Sequence, residues 1–293
     1  MQEERFEFDN AGARLVGVLY RPDGDARGAV VTTGPLTSVK EQAAGVYARA
    51  MAERGYAALA FDHRTFGESE GEPRQFENPL GKADDIVAAI TALDRDARTA
   101  GLPVYALGVC AGGGYMARAV SDDKRVTAFA GIAGVYPDAQ QTRTWMGENY
   151  QAALDRAAEA EKCWRETGQA ETIPAVAAGN GDVAMPLDEA FAYYGTPRGA
   201  VDNYVNGFAV QSRAYTLPFD VQEIAERITV PSIIVHSENA LMPDLARRFY
   251  AALAVEKEQL WLQSQGQIDF YDDPALIAPA ADAVARFFAR RGQ

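Results

Sequence analysis

The run Gly108-Val109-Cys110-Ala111-Gly112-Gly113-Gly114-Tyr115 decides how the rest of the sequence is interpreted. It follows the apolar stretch Val104-Tyr105-Ala106-Leu107, which predicts a buried strand, and it precedes a helical pattern from Tyr115 to Val120. A strand, a tight turn and a helix around G-x-Cys-x-G are typical of a nucleophile elbow with cysteine in place of serine. Glycine on both sides of Cys110 allows a strained backbone and a close approach of neighbouring elements. We therefore predict a thiol at the amino end of a helix, where the helix dipole favours the thiolate.

Three further motifs accompany this elbow in a fixed order along the chain. They are Thr37-x-x-Lys40-Glu41-Gln42, the loop from Phe61 to Arg74, and Gln267-Ile268-Asp269-Phe270-Tyr271-Asp272. On these motifs, over 34–115 and 233–272, the chain resembles the dienelactone-hydrolase-like branch of the α/β-hydrolase superfamily. The resemblance implies an α/β-hydrolase fold. Related sequences carry the catalytic histidine at the first position of the last motif, where this chain has Gln267.

Composition and charge narrow the class of protein. The 293 residues are 48% hydrophobic and 24% charged, which is typical of a globular domain with a large core. The net charge of −13 argues against a nucleic-acid partner, because a phosphate backbone would be repelled. We expect no membrane association and a cytoplasmic location, because no apolar run approaches a bilayer span and the first residues lack a signal-peptide pattern. The partner we expect is a small-molecule substrate, and the composition is compatible with a homodimer.

Strands alternate with helical patterns along most of the chain. The alternation predicts a doubly wound, mostly parallel α/β sheet, with binding sites at the carboxyl ends of the strands. Between residues 137 and 218 the alternation breaks into amphipathic helical stretches. We therefore predict an α/β core from 1–136 and 219–293 with an inserted helical cap from 137–218. The cap supplies aromatic residues that can line an apolar pocket or pack against the sheet: Trp145, Tyr193, Tyr194, Tyr204 and Phe208.

The predicted oxyanion hole has two backbone donors. The first is the N–H of Ala111, which directly follows the nucleophile. The resemblance places the second in the loop Gly34-Pro35-Leu36-Thr37, after the strand from 29 to 33. Proline has no N–H, so Leu36 is the predicted donor.

The predicted catalytic set lacks a base. Cys110 can serve as nucleophile, but the amide of Gln267 cannot shuttle a proton near neutral pH. His63 and His236 are interpreted as structural residues, and they lie too far apart in sequence to suggest a metal site. We predict neither a metal nor another cofactor. Glu238 matches the position of the family's catalytic acid, with Asp244 and Asp269 as the next candidates.

Three functional hypotheses follow from this degenerate triad. In the first, Cys110 takes an acyl group from an ester, lactone or thioester and passes it to water or another nucleophile. In the second, the oxyanion hole and cap pocket promote a cyclisation, isomerisation or elimination without a covalent bond. In the third, the chain is a catalytically silent binding protein.

Overall fold

A computed structural model describes residues 1–179 and 181–292. These residues form ten strands, which in chain order are β1 (Gln2–Asn10), β2 (Ala13–Arg21), β3 (Ala29–Thr33), β4 (Ala57–Phe61), β5 (Val104–Val109), β6 (Val126–Ile132), β7 (Thr172–Ile173), β8 (Phe208–Ala209), β9 (Ser232–His236) and β10 (Lys257–Trp261). Eight of them form one sheet in the order β1-β2-β4-β3-β5-β6-β9-β10, and β7 pairs with β8 in a separate ribbon.

The sheet is parallel except at one edge. Strands β1 and β2 form an antiparallel hairpin, and β2 pairs antiparallel with β4. The other neighbouring pairs, from β4 through β3, β5, β6 and β9 to β10, are all parallel. Strands β3 to β6 and β9 are apolar runs buried on both faces, as expected for strands covered by helices on each side. The predicted doubly wound, mostly parallel α/β fold is confirmed.

Ten helices accompany the strands in the described residues. They are α1 (Ala43–Glu53), α2 (Pro79–Arg95), α3 (Ala111–Asp122), α4 (Ala139–Met146), α5 (Asn149–Thr167), α6 (Asp188–Tyr194), α7 (Arg213–Thr216), α8 (Pro243–Ala252), α9 (Asp269–Asp272) and α10 (Pro274–Ala289). Two large apolar clusters lie on opposite faces of the sheet, one around α1 and α10 and the other around α2, α3 and α8. Each face of the sheet is therefore covered by helices.

The chain leaves the sheet between β6 and β9. This segment holds α4 to α7 and the β7–β8 ribbon, so it is helical with one short two-stranded element. It has a small apolar cluster of its own, formed by Ala160, Ile173, Phe208 and Val210. We refer to residues 137–218 as the cap segment. That this segment forms a separate unit remains a prediction.

Candidate active site

The elbow places Cys110 at the junction of β5 and α3. Cys110 has φ 55° and ψ −126°, a region that residues with a side chain rarely adopt. A Cβ at Gly108 would lie 2.3 Å from the carbonyl oxygen of Gly112, and one at Gly112 would lie 2.6 Å from that of Thr33. Both contacts are with backbone, so neither position accepts a side chain without moving the turn. The close approach predicted from the glycine pattern is confirmed.

The thiol of Cys110 lies at the floor of a cavity and is almost fully buried, with the residue 6% exposed. Burial raises the pKa of the Cys110 thiol, while hydrogen bonds from the Tyr271 hydroxyl, the Ala111 N–H, the Gln267 amide and the Leu36 N–H oppose that rise. Burial is the larger effect. The predicted shift toward the thiolate is therefore wrong, because a partial helix charge does not offset the loss of hydration.

The two backbone donors predicted for the oxyanion hole converge on this sulfur. The N–H groups of Leu36 and Ala111 both reach the thiol, one from the loop after β3 and one from the first turn of α3. Both residues also line the cavity. A carbonyl oxygen of a substrate attacked by Sγ would meet the same pair of donors.

Buried charges fix the loop that carries Leu36, which we call the oxyanion loop (residues 34–42). Thr37 has φ 59°, and its N–H donates to Glu77 Oε2 at 3.0 Å. The N–H of Lys40 donates to Asp62 Oδ1 at 2.7 Å, and its ammonium group lies 2.8 Å from Asp62 Oδ2. These carboxylates are fully buried, so the loop is held by ionic contacts shielded from solvent.

Glu77 connects the oxyanion loop to the cavity wall. Its Oε1 accepts a 2.6 Å hydrogen bond from the hydroxyl of Tyr115 and lies 2.6 Å from Lys82 Nζ. Tyr115 lines the cavity, and Lys82 lies over the rings of Tyr115 and Phe66. Glu77 and its partners Tyr115 and Lys82 were not among the predicted site residues. A glutamate just before the helix cap Asn78-Pro79 shows no sign of burial in the sequence.

Gln267 lies beside the thiol of Cys110 at the edge of the cavity. Its Oε1 accepts from the Leu241 N–H at 2.9 Å, and its Nε2 donates to the Ala133 carbonyl at 2.9 Å and toward the Tyr271 hydroxyl at 3.4 Å. The side chain is 1% exposed. The amide is thus fixed at both ends and presents N–H groups to its surroundings, so it can donate to the sulfur region but cannot accept a proton from it.

Tyr271 is a site residue that the sequence analysis did not select. It follows Gln267 by four residues through the short helix α9, which brings both side chains to one side of the turn. Its ring packs edge-on against Tyr193, with the centroids 5.5 Å apart. The i, i+4 spacing within the final motif was the available indication of this pairing.

Both histidines are engaged away from the thiol. His63 Nε2 lies 2.7 Å from Thr33 Oγ1, and its Nδ1 lies 3.4 Å from Asp85 Oδ2. The two ring nitrogens of His236 face backbone carbonyls, 3.0 Å from that of Ser237 and 3.2 Å from that of Gly134. Burial lowers the pKa of both imidazoles. Within the described part of the chain, no imidazole therefore reaches Cys110.

The structure does not bring Glu238 into the site. Its side chain is 64% exposed and forms a salt bridge with Arg247, whose guanidinium also lies over the ring of Trp261. Leu241 N–H, not a carboxylate, contacts the side-chain oxygen of Gln267. The structure does not support the prediction of Glu238 as the catalytic acid, because the chain after β9 turns this side chain outward. Asp244 is also exposed, and Asp269 accepts from the Gln265 and Gly266 N–H groups.

A cavity of about 370 Å³ opens above Cys110. Its walls come from the core, from the cap segment and from both junctions between them. The lining is mainly apolar and comprises Leu36, Pro79, Cys110, Ala111, Tyr115, Val135, Pro137, Ala184, Met185, Pro186, Leu187, Glu189, Ala190, Tyr194, Thr216, Phe219, Leu241, Met242, Gln267, Ile268 and Tyr271. The space suits a small molecule with an apolar portion.

Of the five aromatic residues predicted to line the pocket, only Tyr194 does so. Trp145 is 55% exposed on α4, and Phe208 packs inside the apolar cluster of the cap segment. Tyr193 packs against Tyr271, and Tyr204 packs against Tyr194 with ring centroids 5.2 Å apart. The other four rings lie outside this wall, because the packing of the cap segment, which periodicity does not reveal, decides which rings face Cys110.

Two further observations concern only residues 1–179 and 181–292, the part of the chain that the structure describes. These residues contain no cluster of three or more histidine, cysteine or acidic side chains arranged to hold a metal ion. None of their helices combines the length and the hydropathy needed to cross a bilayer.

Comparisons with known proteins agree with this architecture. A family model described as "Serine aminopeptidase, S33" matches residues 25–168. The chain is 30% identical to the uncharacterized protein YcjY of Escherichia coli strain K12, over 98% of this chain and 99% of that protein. It is 31% identical to the uncharacterized protein PA2218 of Pseudomonas aeruginosa, over 98% of this chain and 80% of that protein.

Two other matches add structural and chemical context. The crystal structure of PA2218 has a TM-score of 0.84 to this chain at 29% identity, covering 99% of this chain and 94% of that one. A protein named thiohydrolase aneE, from Aspergillus aculeatus, is 33% identical over 56% of this chain and 50% of its own length. With the fold and the elbow described above, these findings lead to one conclusion: the chain belongs to the α/β-hydrolase superfamily and is an enzyme of the hydrolase type.

Proposed function

We propose that this enzyme transfers an acyl group through a covalent thioester on Cys110, using a small thioester or activated ester as acyl donor. The observation that carries the proposal is a buried cysteine at a nucleophile elbow that contacts two N–H donors, from Leu36 and Ala111. Neither imidazole of the described residues contacts its thiol. We also propose, on the motifs within 34–115 and 233–272, that the chain belongs to the dienelactone-hydrolase-like branch of the superfamily.

The absence of an imidazole at the thiol selects the kind of acyl donor. Sγ forms a bond to the acyl carbon, the bond from that carbon to the leaving group breaks, and the thiol proton goes to the leaving group. A departing thiolate has a basicity close to that of Cys110 and accepts this proton without a separate base. A departing alkoxide needs proton donation by a general acid. We therefore expect thioesters and activated esters to react much faster than simple alkyl esters.

The cavity supports an acyl group with an apolar portion. Its lining includes leucine, isoleucine, proline and methionine side chains around the sulfur, and its volume of about 370 Å³ is at the small end of ligand pockets. The name of the relative aneE, a thiohydrolase, is consistent with a thioester donor.

Intact-protein mass spectrometry tests the proposal. The wild-type enzyme is incubated with a panel of short and medium acyl thioesters of N-acetylcysteamine and with matched ethyl esters. We expect a mass increase of one acyl group with the thioesters, mapped to Cys110 and missing in Cys110→Ala. Cys163→Ala is the matched control, because Cys163 is the other free cysteine and is exposed on α5. An adduct that survives in Cys110→Ala but not in Cys163→Ala would contradict the proposal.

One observation favours a second candidate function. Because burial raises the pKa of the Cys110 thiol, the group is neutral at rest and can serve as part of a polar cavity floor. The donors of Leu36 and Ala111 could then stabilise an enolate during an isomerisation or a cyclisation, without a covalent bond. Full turnover of the natural substrate by Cys110→Ala would favour this alternative over acyl transfer.

A further inference from the structure

A single carboxylate lines the cavity above Cys110. Among the lining residues, whose ionisable members are otherwise one thiol and three phenols, Glu189 is the one acid. It lies in the first turn of α6 in the cap segment. An ionised carboxylate offers acceptor sites only, so Glu189 differs in kind from every other polar group in this wall.

Glu189 is tethered by one of its two oxygens. Its Oε2 accepts the N–H of Gln267 at 3.0 Å and that of Ile268 at 3.4 Å. Its Oε1 makes no hydrogen bond within residues 1–179 and 181–292, and the side chain is half-buried. The contact with Gln267 fixes the carboxylate next to the residue whose side chain reaches the sulfur, and it leaves an acceptor oxygen free.

We propose that Glu189 is the general base that activates the acyl acceptor in the second half of the reaction. This inference rests on the proposed acyl transfer through Cys110. The first half-reaction needs no base, because the leaving thiolate takes the proton. The second half-reaction does need one, because water, an alcohol or an amine must lose a proton as it attacks.

The step balances with the groups at hand. The acceptor's oxygen or nitrogen forms a bond to the thioester carbon, and its proton goes to Glu189 Oε1. The bond from that carbon to Sγ breaks, and the electron pair stays on the sulfur, which the Tyr271 hydroxyl contacts. The proton then passes from Glu189 to the thiolate, and both groups return to their starting states.

The position of Glu189 divides the two half-reactions between two parts of the molecule. Cys110, Leu36 and Ala111, which carry out acylation, all belong to the α/β core. The base for deacylation lies on the cap segment and is held against the core by backbone N–H groups. A substrate that displaced α6 would therefore be able to acylate the enzyme but would remain attached.

Pre-steady-state kinetics with the intact chain tests the inference. With the N-acetylcysteamine thioester of butyrate and rapid quenching, the wild-type enzyme is expected to release a burst of one free thiol per enzyme, followed by slower turnover. Glu189→Gln keeps an oxygen that accepts from the Gln267 N–H but cannot take a proton. We expect an unchanged burst, turnover reduced about 100-fold, and accumulation of butyryl-Cys110 by mass spectrometry. Asp188→Asn is the matched control, since it removes an exposed carboxylate from the same helix and should change neither phase.

Comparison of the burst with the turnover separates a catalytic role of Glu189 from a structural one. Turnover of Glu189→Gln at the wild-type rate would overturn the inference and leave the acyl-enzyme intact. Equal losses in burst and turnover would also overturn it, because Glu189 would then only support the loop. No burst in any variant, with no adduct, would instead refute the proposed function.

Discussion

Two loops meet at Cys110, and the structure holds them in different ways. The oxyanion loop is fixed by carboxylates that are fully buried, through Glu77 on Thr37 N–H and Asp62 on Lys40. The loop from 262 to 268, which carries Gln267, is held by uncharged hydrogen bonds, from Gln267 to the Ala133 carbonyl and from Ser264 to Ser237, and by the half-buried Glu189 of the cap segment. In the proposed reaction, the oxyanion loop supplies the Leu36 N–H, a donor that must stay in place. The loop from 262 to 268 supplies the Gln267 side chain, which determines whether a base stands beside the thiol.

The histidine behind each loop does not share this contrast. His63 contacts Thr33, the last residue before the oxyanion loop, and His236 ends β9, to which Leu262 donates a backbone hydrogen bond. Both rings support backbone from inside the core. Both imidazoles are therefore engaged in packing, and the proposed acyl transfer uses groups of another kind.

The largest expected effect comes from the ionic support of the oxyanion loop. Asp62→Ala removes a fully buried carboxylate that contacts the Lys40 N–H and ammonium group, so we expect a loss of about 3–5 kcal/mol in the free energy of unfolding. Asp269→Ala is the matched change at a carboxylate that supports the other loop from α9. It should lower the free energy of unfolding by about 1 kcal/mol, because its N–H partners lie partly in solvent. Urea denaturation measures both. Equal losses would break the comparison between the loops.

A second change would give the other loop the base that it lacks. Gln267→His places an imidazole beside the thiol, so hydrolysis of simple ethyl esters should rise at least about tenfold, or roughly 1.4 kcal/mol in transition-state stabilisation. Its rate should also gain a pH dependence near that of an imidazole. Gln265→His, at an exposed position of the same loop, is the control and should leave the rate unchanged. No gain in a folded Gln267→His enzyme would mean that this side chain does not control proton transfer at the sulfur.

The two buried histidines should make the free energy of unfolding depend on pH. Burial lowers the pKa of His63 and of His236, so the folded chain binds fewer protons than the unfolded chain below pH ~6.5. The free energy of unfolding should therefore fall as pH drops from about 6.5 toward the folded-state values, by at most about 1.4 kcal/mol per pH unit for each histidine. His236→Gln should remove about half of this slope between pH 6.5 and 5.5 in urea titrations. A slope that is unchanged would show that His236 binds protons equally in both states.

The smallest effect is expected at the residue that sequence analysis assigned as the acid. Glu238→Gln breaks an exposed salt bridge with Arg247, which contributes at most about 0.5 kcal/mol. The acylation burst and the turnover should equal those of the wild type. A loss of turnover beyond about threefold would mean that Glu238 approaches Gln267 during the reaction.

Sequence reasoning succeeded where the constraint is local. The spacing of Gly108, Cys110 and Gly112 specifies a turn that only a few residues can form, and the alternation of strands with helices specifies the sheet. Gln267 was found because it sits in a short motif of fixed order. The resemblance placed the second oxyanion-hole donor in the loop after β3, and within that loop Leu36 was chosen because Pro35 has no N–H.

Sequence reasoning failed where the outcome depends on distant residues. Glu238 points outward because the chain turns after β9, and there it meets Arg247 of the following helix. Burial around Cys110 outweighs the helix dipole, and the degree of burial is set by the cap segment. Glu189 was missed for a related reason: one acidic residue near the start of a short helix looks like any other until the cavity is known.

Cys110 itself has a consequence for anyone who engineers this enzyme. Its backbone, at φ 55°, is one that glycine adopts freely and a residue with a side chain does not, so Cys110→Gly should relieve about 1 kcal/mol of conformational energy. A directed-evolution campaign that screens for heat resistance alone would then enrich clones that have lost the thiol. Libraries of this scaffold should be screened for retained labelling of the cysteine alongside melting temperature.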